Sequence, residues 1–341
     1  MWDSPKTDVY KRQVTDCTDP VRNLALEAAL LEAVQPGQCL LYLWQNRNTV
    51  VIGRNQNSRR ECRLDLLEAD GGRLVRRMSG GGAVYHDLGN LNFTFLACEG
   101  AYDLDRQLEV VLRAVRGLGV PAEKTGRNDL TADGRKFSGN AFYRAGDRRY
   151  HHGTLLLSAD GEKMARYLSV APEKLRSKGV ASVRARVCNL AEYVPGLTAR
   201  RLVQALLDAF GEVYGSEPEL FAYPLDAARL RALEEKFASD EWRFGREPRA
   251  DCTLSGRWPW GGAELCFTVA GGRVTAATVY TDAMDAGLAA ALETALTGRP
   301  FAAQPLAAAA RALAGRENDR GERRAMALDI AALLEEMDGT I

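Results

Sequence analysis

Several features by which common protein classes are recognised are missing from these 341 residues. Lysine plus arginine and aspartate plus glutamate are equal at 45 each, so no net charge draws the protein to nucleic acid or to an anionic membrane. The longest apolar runs, such as residues 24–34, are interrupted by charge well before the roughly 20 residues of a membrane span, and no charged-then-apolar leader precedes them. We therefore expect a cytoplasmic protein without a nucleic-acid or membrane partner.

The cysteines are scattered and the histidines are few. The seven cysteines are scattered, odd in number and without a C-x-x-C pair, which argues against a zinc knuckle and against a disulfide framework. The three histidines are His86, His151 and His152, and each lies in one of the motifs described below. This economy suggests specific roles for the histidines.

The length of the chain favours two domains over one. Residues 1–18 are polar and aperiodic, and they are predicted to be a tail outside the fold. Residues 19–246 then form a larger catalytic domain, and residues 247–341 form a small accessory domain. The boundary near Glu247 rests on a stretch rich in charge and turn formers, FGREPRADCTLSGR.

Local patterns predict a mixture of helices and strands, and hence an α+β fold. Asp19-Pro20 is typical of a helix cap and predicts a helix from Val21 to Val34. CLLYLW (39–44) and TVVIG (49–53) predict a strand pair, and Gly271-Gly272 between two alternating segments predicts a hairpin. Helical spacing recurs at residues 104–118, 160–168, 198–212 and 225–238 and in three alanine-rich segments near the C-terminus.

The stretch VRRMSGGGAVYHDLGN (75–90) places three consecutive glycines after two arginines. The glycines suit a tight turn, a close contact between two backbones, or a bed for a ligand. Arg76 and Arg77 in front and Ser79 within the loop favour an anion cradle, because bare backbone N–H groups can approach phosphate oxygens. The stretch is neither a Walker loop nor a dinucleotide fingerprint, since no Gly-Lys-Ser/Thr follows and no helix begins after it.

A second motif surrounds Lys136, in GRNDL (126–130) and GRKFSGNA (134–141). A lysine here is ordinarily a solvated surface charge, but the small residues that follow it leave room for a ligand beside its long stem. Asn128 and Asp129 suit ribose hydroxyls or magnesium, with a surface turn as the equal alternative. Lys136 is therefore the candidate cation of a site.

A third motif, His151-His152-Gly153-Thr154, places two adjacent histidines on a predicted strand. Neighbouring side chains of a strand point to opposite faces, so the two imidazoles cannot bind one metal from the same face. One histidine is expected to be buried and structural. His152, with Thr154 on the same face, is the candidate pocket residue.

A fourth segment, residues 174–190, carries five basic residues and no acidic one. It suits a solvated loop, a flap over an anionic ligand, or a landing patch for an acidic partner. Cys188 in this segment has no histidine near it in sequence and no nucleophile motif around it, so a catalytic cysteine is disfavoured.

In this order and at this spacing, the motifs resemble the lipoate–protein ligase A family of the biotin/lipoate ligase superfamily. The resemblance runs from about Asp19 to the C-terminus. It is carried by NLALE (23–27), TVVIGRNQN (49–57), RRMSGGGAVYHDLGN (76–90), GRNDL (126–130), GRKFSGNA (134–141), HHGTLLL (151–157), SKGVASVRARVCNL (177–190) and WGGAELCF (260–267). It implies a large domain with the biotin-ligase and class II synthetase-like fold, followed by a small α+β C-terminal domain.

The resemblance also implies an enzyme that activates lipoate with ATP and Mg²⁺, forming lipoyl-AMP and releasing pyrophosphate. The lipoyl group then passes to a lysine of an acceptor, such as the lipoyl domain of a 2-oxoacid dehydrogenase E2 subunit or the glycine-cleavage H protein. Mg²⁺ would be carried mainly by the phosphates of ATP, with Asp129 as a further ligand. We expect a monomer, and octanoate is an alternative to lipoate.

Some site residues follow from positions that match the family motifs, namely Arg77, Gly82 to Tyr85, and Lys136, the catalytic lysine that contacts lipoate and ATP. With the candidates from the residues themselves, the expected ATP-binding residues are Arg77, Gly82, Ala83, Val84, Tyr85, Asn128, Asp129 and Lys136. The expected lipoate-binding residues are Ser79, Gly80, Gly81, His86, Lys136, Gly139, His152 and Thr154.

Two other functions stay open. An octanoyltransferase of the same superfamily moves an acyl chain through a cysteine thioester without ATP, but residues 126–135 before Lys136 contain no cysteine. A non-catalytic lipoyl- or biotinyl-binding protein, or a regulator of transcription, is disfavoured by the retained lysine and because no helix-turn-helix is evident near the N-terminus. The loop at residues 130–133 is shorter than the family leads us to expect, which bears on the cover over the nucleotide.

Overall fold

An eight-stranded sheet is the centre of the larger of two units into which the chain divides. The structure is a computed structural model that describes residues 10–125, 129–169, 187–222, 224–245, 249–315 and 321–339. The larger unit comprises Met1–Val51, Glu61–Val75 and Val84–Trp242, and the smaller unit comprises Ile52–Arg60, Arg76–Ala83 and Arg243–Ile341.

The strands form three sheets. In chain order they are β1 (Tyr10–Val14), β2 (Cys39–Trp44), β3 (Thr49–Ile52), β4 (Arg73–Arg76), β5 (Val84–His86), β6 (Asn90–Cys98), β7 (Ala122–Thr125), β8 (Asp129–Ala132), β9 (Arg135–Ala145), β10 (Arg148–Leu156), β11 (Glu219–Leu220), β12 (Cys252–Trp258), β13 (Gly261–Ala270) and β14 (Arg273–Thr281). The large sheet has the order β11-β1-β2-β6-β10-β9-β8-β7, and the small sheets have the orders β4-β3-β5 and β12-β13-β14. β1 runs parallel to β2 and β11, whereas β2, β6, β10 and β9 are successive antiparallel neighbours.

The α-helices are α1 (Pro20–Ala33), α2 (Ser58–Glu61), α3 (Leu64–Ala69), α4 (Leu104–Gly117), α5 (Gly161–Tyr167), α6 (Ala199–Tyr214), α7 (Ala227–Ala238), α8 (Asp240–Phe244), α9 (Leu288–Leu296), α10 (Ala303–Arg311) and α11 (Arg323–Glu335). Short 3₁₀ turns lie at Glu99–Ala101, Leu190–Glu192, Ala312–Gly315 and Glu336–Gly339. Among the residues described above, we find no helix with the length and apolarity that a bilayer crossing requires.

The two faces of the large sheet differ in polarity. β2 and β6 are buried at every position, so both faces are covered. On one face, Leu41 and Phe93 belong to an apolar core that includes Phe210 of α6 and side chains of α4. On the other face, Thr94 of β6 donates a hydrogen bond to Glu27 of α1. The second face therefore carries buried polar groups, and it is called the polar face below.

The helices begin and end at residues with the expected local chemistry. Asp19 accepts hydrogen bonds from the N–H groups of Val21 and Arg22, and Pro20 is the first residue of α1. α6 begins after the cap Thr198 and ends at Gly215, whose φ of 80° is left-handed. The helices predicted at residues 160–168, 198–212 and 225–238 are confirmed as α5, α6 and α7.

The prediction that residues 1–18 form a tail outside the fold is wrong for residues 10–18. Tyr10–Val14 form β1, which pairs with β2, and the ring of Tyr10 packs against Tyr214 at 4.8 Å between centroids. The sequence YKRQV is polar, and it becomes a strand because β2 supplies its hydrogen bonds, which a local pattern cannot reveal. Residues 1–9 lie outside the described residues.

One further prediction needs correction. The segments 39–44 and 49–53 do not pair: β2 lies between β1 and β6, whereas β3 pairs with β5 in a separate sheet. Asn46 between them is buried and Asn48 has a φ of 41°, so the chain leaves the large sheet instead of forming a hairpin. The turn-rich stretch at the predicted domain boundary also contains strand β12.

The smaller unit packs the sheet β12-β13-β14 with α9, α10 and α11 around an apolar core. Gly271 and Gly272, with φ of 57° and 70°, form the predicted hairpin turn between β13 and β14. The stretches Ile52–Arg60 and Arg76–Ala83 cluster with this unit, although they are distant from it in sequence. The boundary expected at residue 247 therefore does not account for these two stretches.

Candidate active site

Lys136 lies on β9 beside a β-bulge. The pairing of β8 with β9 shifts after Leu130, which leaves Phe137 as an extra residue. Lys136 and Gly139 are three positions apart and would point to opposite faces of a regular strand, but here the lysine stem lies over the glycine. A Cβ added to Gly139 would be 3.0 Å from both Cε and Nζ of Lys136.

The Lys136 ammonium forms an ion pair with Asp129, with 2.6 Å between Nζ and Oδ1 and side chains that are 40% and 44% exposed. The Lys136 carbonyl accepts a hydrogen bond from the Cys188 N–H at 2.9 Å. The Gly139 N–H donates to Thr154 Oγ1 at 3.3 Å. The result is a half-exposed cation above small residues.

A row of side chains leads from Gly139 across the sheet. Thr154 on β10 is opposite Asn92 on β6, and Asn92 is opposite Trp44 on β2. Gly139 and Thr154 are half-buried, whereas Asn92 and Trp44 are buried. The row therefore runs from the cation into the protein interior.

A second row on the same face contains a buried hydrogen-bonded group. Glu27 Oε1 lies 2.8 Å from His152 Nδ1 and accepts from Thr94 Oγ1 at 2.7 Å, and Thr94 Oγ1 accepts from Trp44 Nε1 at 3.1 Å. The His152 tautomer with its proton on Nδ1 would donate to this carboxylate oxygen. Sequence reasoning missed Glu27, because a glutamate within NLALE is an ordinary helix residue and only the fold shows that it is 1% exposed.

His151 points to the opposite, apolar face and is fully buried. Its Nε2 lies 2.8 Å from Asn140 Oδ1, and its ring stacks on Phe95 and Phe142. Its Nδ1 lies 3.2 Å from Gln107. These contacts give His151 a structural role and leave His152 on the face of Thr154.

The glycine loop belongs to the smaller unit, and its three glycines have different surroundings. A Cβ on Gly80 would lie 2.4 Å from the carbonyl oxygen of Ala283, and Gly81 has a φ of 87° and donates its N–H to the same oxygen at 3.0 Å. Gly82 is exposed and has no atom within 4 Å of a Cβ position. Of the three possibilities raised by the sequence, a contact between backbones therefore applies at Gly80, and open space is present at Gly82.

The two arginines before the glycines hold backbone carbonyls. Arg77 is buried, and its guanidinium donates to the carbonyls of Gly80 and Gly82, at 2.7 and 2.8 Å from Nη2, and from Nε to Ser79 Oγ at 3.0 Å. The buried Arg76 donates to carbonyls of residues 53, 54, 56 and 243. Burial, together with nearby Arg54, lowers the pKa of Arg76 to about 10. Both cations support the loop from within.

His86 and Tyr85 lie on β5, after the loop, in the larger unit. His86 Nδ1 is 3.3 Å from Asn46 Nδ2, and its ring meets Trp44 edge-on at 6.2 Å between centroids. Tyr85 donates from its hydroxyl to Asn48 Oδ1 at 3.0 Å, and burial raises its pKa. His86 is therefore beside the inner end of the first row.

The structure thus brings together one part of the predicted site on the polar face of the larger unit. Its members are Asp129, Lys136, Gly139, His152 and Thr154. His86, on β5 of a separate sheet, adjoins this face through its ring contact with Trp44. Arg77, Ser79, Gly80, Gly81, Gly82 and Ala83 belong to the smaller unit, and Val84 and Tyr85 begin β5 of the larger one. Asn128 and residues 174–186 of the basic segment lie outside the described residues.

No metal cluster is found in the described ranges, and the cysteine beside Lys136 is buried. These ranges contain no group of three or more His, Cys, Asp or Glu side chains placed to hold a metal ion. Cys188 is the cysteine whose backbone meets Lys136; its Sγ donates to the Arg135 carbonyl at 3.4 Å, and burial raises the pKa of its thiol. A cavity of about 240 Å³ beside Cys188 is lined mainly by apolar residues, including Leu156 and Met164.

Comparison with known families places matches over most of the chain. The profile of the lipoyl protein ligase A/B catalytic domain matches residues 19–211, and that of the bacterial lipoate protein ligase C-terminus matches residues 247–321. The first match alone spans more than half of the chain.

Solved structures with the same fold include three relevant relatives. P. falciparum LipL1, crystallised in complex with lipoate, is 25% identical, with 94% of this chain and 99% of that chain covered and a TM-score of 0.78. A bipartite lipoate protein ligase from Thermoplasma acidophilum, studied with its E2 lipoyl domain, is 26% identical over 71% of this chain and 99% of that chain, with a TM-score of 0.61. A lipoate–protein ligase A bound with ATP shares the fold at 24% identity, over 70% of this chain and 97% of that chain, with a TM-score of 0.58.

Proposed function

This chain belongs to the lipoyl protein ligase A/B catalytic domain family, and from that premise we propose that it is an ATP-dependent lipoate–protein ligase. In the first step, the lipoate carboxylate attacks the α-phosphorus of ATP, a mixed anhydride forms, and pyrophosphate leaves with the electron pair of the broken bond. In the second step, the amine of an acceptor lysine attacks the acyl carbon of lipoyl-AMP. An amide forms, AMP leaves, and the amine loses a proton.

The position of Lys136 is the observation that carries the proposal. Joining a carboxylate to a phosphate brings two anions together, so much of the barrier is electrostatic, and a fixed cation between them lowers it. Lys136 offers a half-exposed ammonium above Gly139, at the outer end of a row that leads into the interior. In the complex, the two substrates would take the place that Asp129 has beside the ammonium.

The row from Gly139 to Trp44 supports a slot for the acyl chain. Its outer end is half-buried and cationic and its inner end is buried, which suits a ligand with a charged head and a long tail. We assign Lys136, Gly139 and Thr154 to the carboxylate end, and His152 and His86 to the inner wall. The lipoate in the structure of LipL1 supports this choice of acid.

For the nucleotide, we assign the loop Gly82 to Tyr85 to backbone contacts with ATP. Gly82 has open space beside it, so bare N–H groups can approach a phosphate there. Arg77 donates to carbonyls of the same loop, and we assign it the support of this loop in addition to any contact with phosphate. Ser79, Gly80 and Gly81 would contribute to ATP binding indirectly, because they allow the conformation of this loop.

Magnesium would be held mainly by the phosphates of ATP. The fitting donor on the chain is the Asp129 carboxylate, which is already paired with Lys136, and the described ranges offer no cluster of three ligands. When bound, Mg²⁺ would neutralise phosphate charge. The chain's own part is to hold the two substrates and to place Lys136 between them.

The acceptor would be a lysine on a lipoyl domain, as in 2-oxoacid dehydrogenase E2 subunits or the glycine-cleavage H protein. The Thermoplasma acidophilum ligase, whose structural study includes its E2 lipoyl domain, supports an acceptor of this kind. An octanoyltransferase is the second candidate, but it needs a cysteine that can form a thiolate. Cys188, the cysteine beside Lys136, is buried and has a raised pKa, which favours the ligase.

Lipoate-dependent exchange of pyrophosphate with ATP tests the first step directly. The wild-type protein should catalyse the exchange with lipoate, and no exchange with lipoate, octanoate or biotin would refute the proposal. Lys136→Ala should lower the exchange rate by at least roughly 100-fold, because it removes the charge between the two anions. Its thermal unfolding should match that of the wild type, because the side chain is half-exposed; full activity in this variant would refute the role of Lys136.

A further inference from the structure

Two adjacent asparagines on β6 form an amide pair whose hydrogen bonds are incomplete. Asn90 Nδ2 donates to Asn92 Oδ1 at 2.9 Å, while Asn90 Oδ1 and Asn92 Nδ2 have no partner in the part of the chain that the structure describes. The residues are 0% and 2% exposed. If oxygen and nitrogen were exchanged in both amides, one donor and one acceptor would still be unmet. Buried amides are rarely left in this state, so the pair calls for a partner.

The pair lies on the proposed path of the acyl chain. Asn92 is opposite Thr154 on one side and Trp44 on the other, and Thr154 accepts from the N–H of Gly139, over which Lys136 lies. Neighbouring strands are about 4.8 Å apart, so Asn92 is roughly 10 Å from the lysine end of the row. An acid whose carboxylate meets Lys136 would therefore reach the pair with its far end.

We propose that the amide pair selects the acyl group, favouring lipoate over a saturated fatty acid such as octanoate. This inference rests on the proposed function. The far end of lipoate is a dithiolane, whose sulfurs are weak hydrogen-bond acceptors, and the thiols of the reduced form are also weak donors. A hydrocarbon end offers neither, so it would remove water from the two amide groups and give nothing in return. Lipoate can therefore form weak hydrogen bonds with the amide pair, whereas octanoate cannot.

Exchange assays with both acids test the selection in the full-length protein. We compare the ratio of kcat/KM for lipoate to kcat/KM for octanoate in the wild type, in Asn92→Val and in the double variant Asn90→Val/Asn92→Val. The double variant should lower the ratio by about tenfold or more, mainly through better use of octanoate, because its valines no longer need hydrogen bonds. Asn92→Ala, which only removes atoms, should lower the ratio in the same direction and serves if the double variant does not fold.

Asn140→Val is the matched control. Asn140 is also a buried strand asparagine, but it lies on the opposite face with His151 as its partner, so its replacement should lower stability and leave the ratio unchanged. An unchanged ratio in the folded Asn92 variants would overturn the inference, since the pair would then simply hold water. A wild type that catalyses no exchange with either acid would instead overturn the proposed function, and this inference with it.

Discussion

The side chain of Lys136 occupies the space that a methyl group would fill if residue 139 were alanine. The lysine stem passes close enough that a Cβ at residue 139 would be 3.0 Å from its last two atoms. A contact this short requires the flexible end of the lysine to move. The Lys136 ammonium can therefore occupy its position because residue 139 has no side chain, and the ion pair with Asp129 holds it there.

Under the proposed function, Gly139→Ala should reduce lipoate-dependent pyrophosphate exchange by roughly 10- to 100-fold, because a displacement of about 1 Å at a group that contacts both substrates has an effect of this size. The melting temperature should change little, since the lysine end is half-exposed and free to shift. Gly117→Ala is the control, because a Cβ at residue 117 has no atom within 4 Å. Equal exchange rates in the two variants would contradict this account.

The sequence singles out Lys136 as a candidate but does not reveal the geometry around it. The lysine at position 136 and the small residues that follow it can be read directly from the local sequence. The bulge at Phe137 depends on how β8 pairs with β9, and the burial of Glu27 depends on how α1 lies on the sheet. Both features depend on tertiary packing, which a short pattern of residues does not reveal.

The glycine loop is an element in which three consecutive glycines have different surroundings. Gly80 is required by the approach of the Ala283 carbonyl, Gly81 by its positive φ, and Gly82 by neither. Three consecutive glycines indicate that side chains are disfavoured in this loop. They do not indicate which glycine faces protein and which faces open space, because the packing partner lies about 200 residues further along the chain.

Gly80→Ala and Gly82→Ala form a matched pair for measurement. A methyl group at residue 80 would lie 2.4 Å from the Ala283 carbonyl oxygen, so the free energy of unfolding should fall by about 1–3 kcal/mol. At residue 82 the same methyl group meets nothing, and the change should stay within about 0.5 kcal/mol. Urea unfolding measures both, and equal losses would show that Gly80 does not pack as described.

Elements were predictable from sequence where their cause is local. α1 was predicted because its cap, Asp19-Pro20, is adjacent to it, and the β13–β14 hairpin because its turn needs two residues with positive φ. β1 was missed because a polar YKRQV segment becomes a strand only through its partner β2. The predicted pairing of β2 with β3 is wrong because two strands that are close in sequence can belong to different sheets.

Ion pairs between distant parts of the chain affect the molecule as a whole. Arg229 of α7 holds Glu32 of α1 through two hydrogen bonds of 2.9 and 2.6 Å, and these lower the pKa of Glu32 from its ordinary value of 4.5. A hydrogen bond from the Asn189 N–H, followed by Arg135, lowers the pKa of Glu192 in the same way. Because each folded-state pKa lies below the unfolded one, the stabilisation is present above about pH 4.5 and is lost as the pH falls through the folded values.

Acid titration of stability tests these pairs. The melting temperature should fall between pH 5 and pH 3, and Glu32→Gln should melt below the wild type at pH 7 because it loses the charge that faces Arg229. The gap between the two proteins should narrow towards pH 3, where the wild-type carboxylate becomes protonated. A gap of the same size at both pH values would contradict the assignment. The effect should be modest, since both partners are about half-exposed.

The smaller unit is assembled from three separate stretches of chain, and this has a consequence during translation. Gly80 and Gly81 leave the ribosome about 200 residues before Ala283, their packing partner. At about 5–20 residues per second, that interval is on the order of 10–40 s. For this time the nascent chain carries the glycine loop without the backbone that packs against it, so the loop should take its final conformation only after nearly the whole chain has been made.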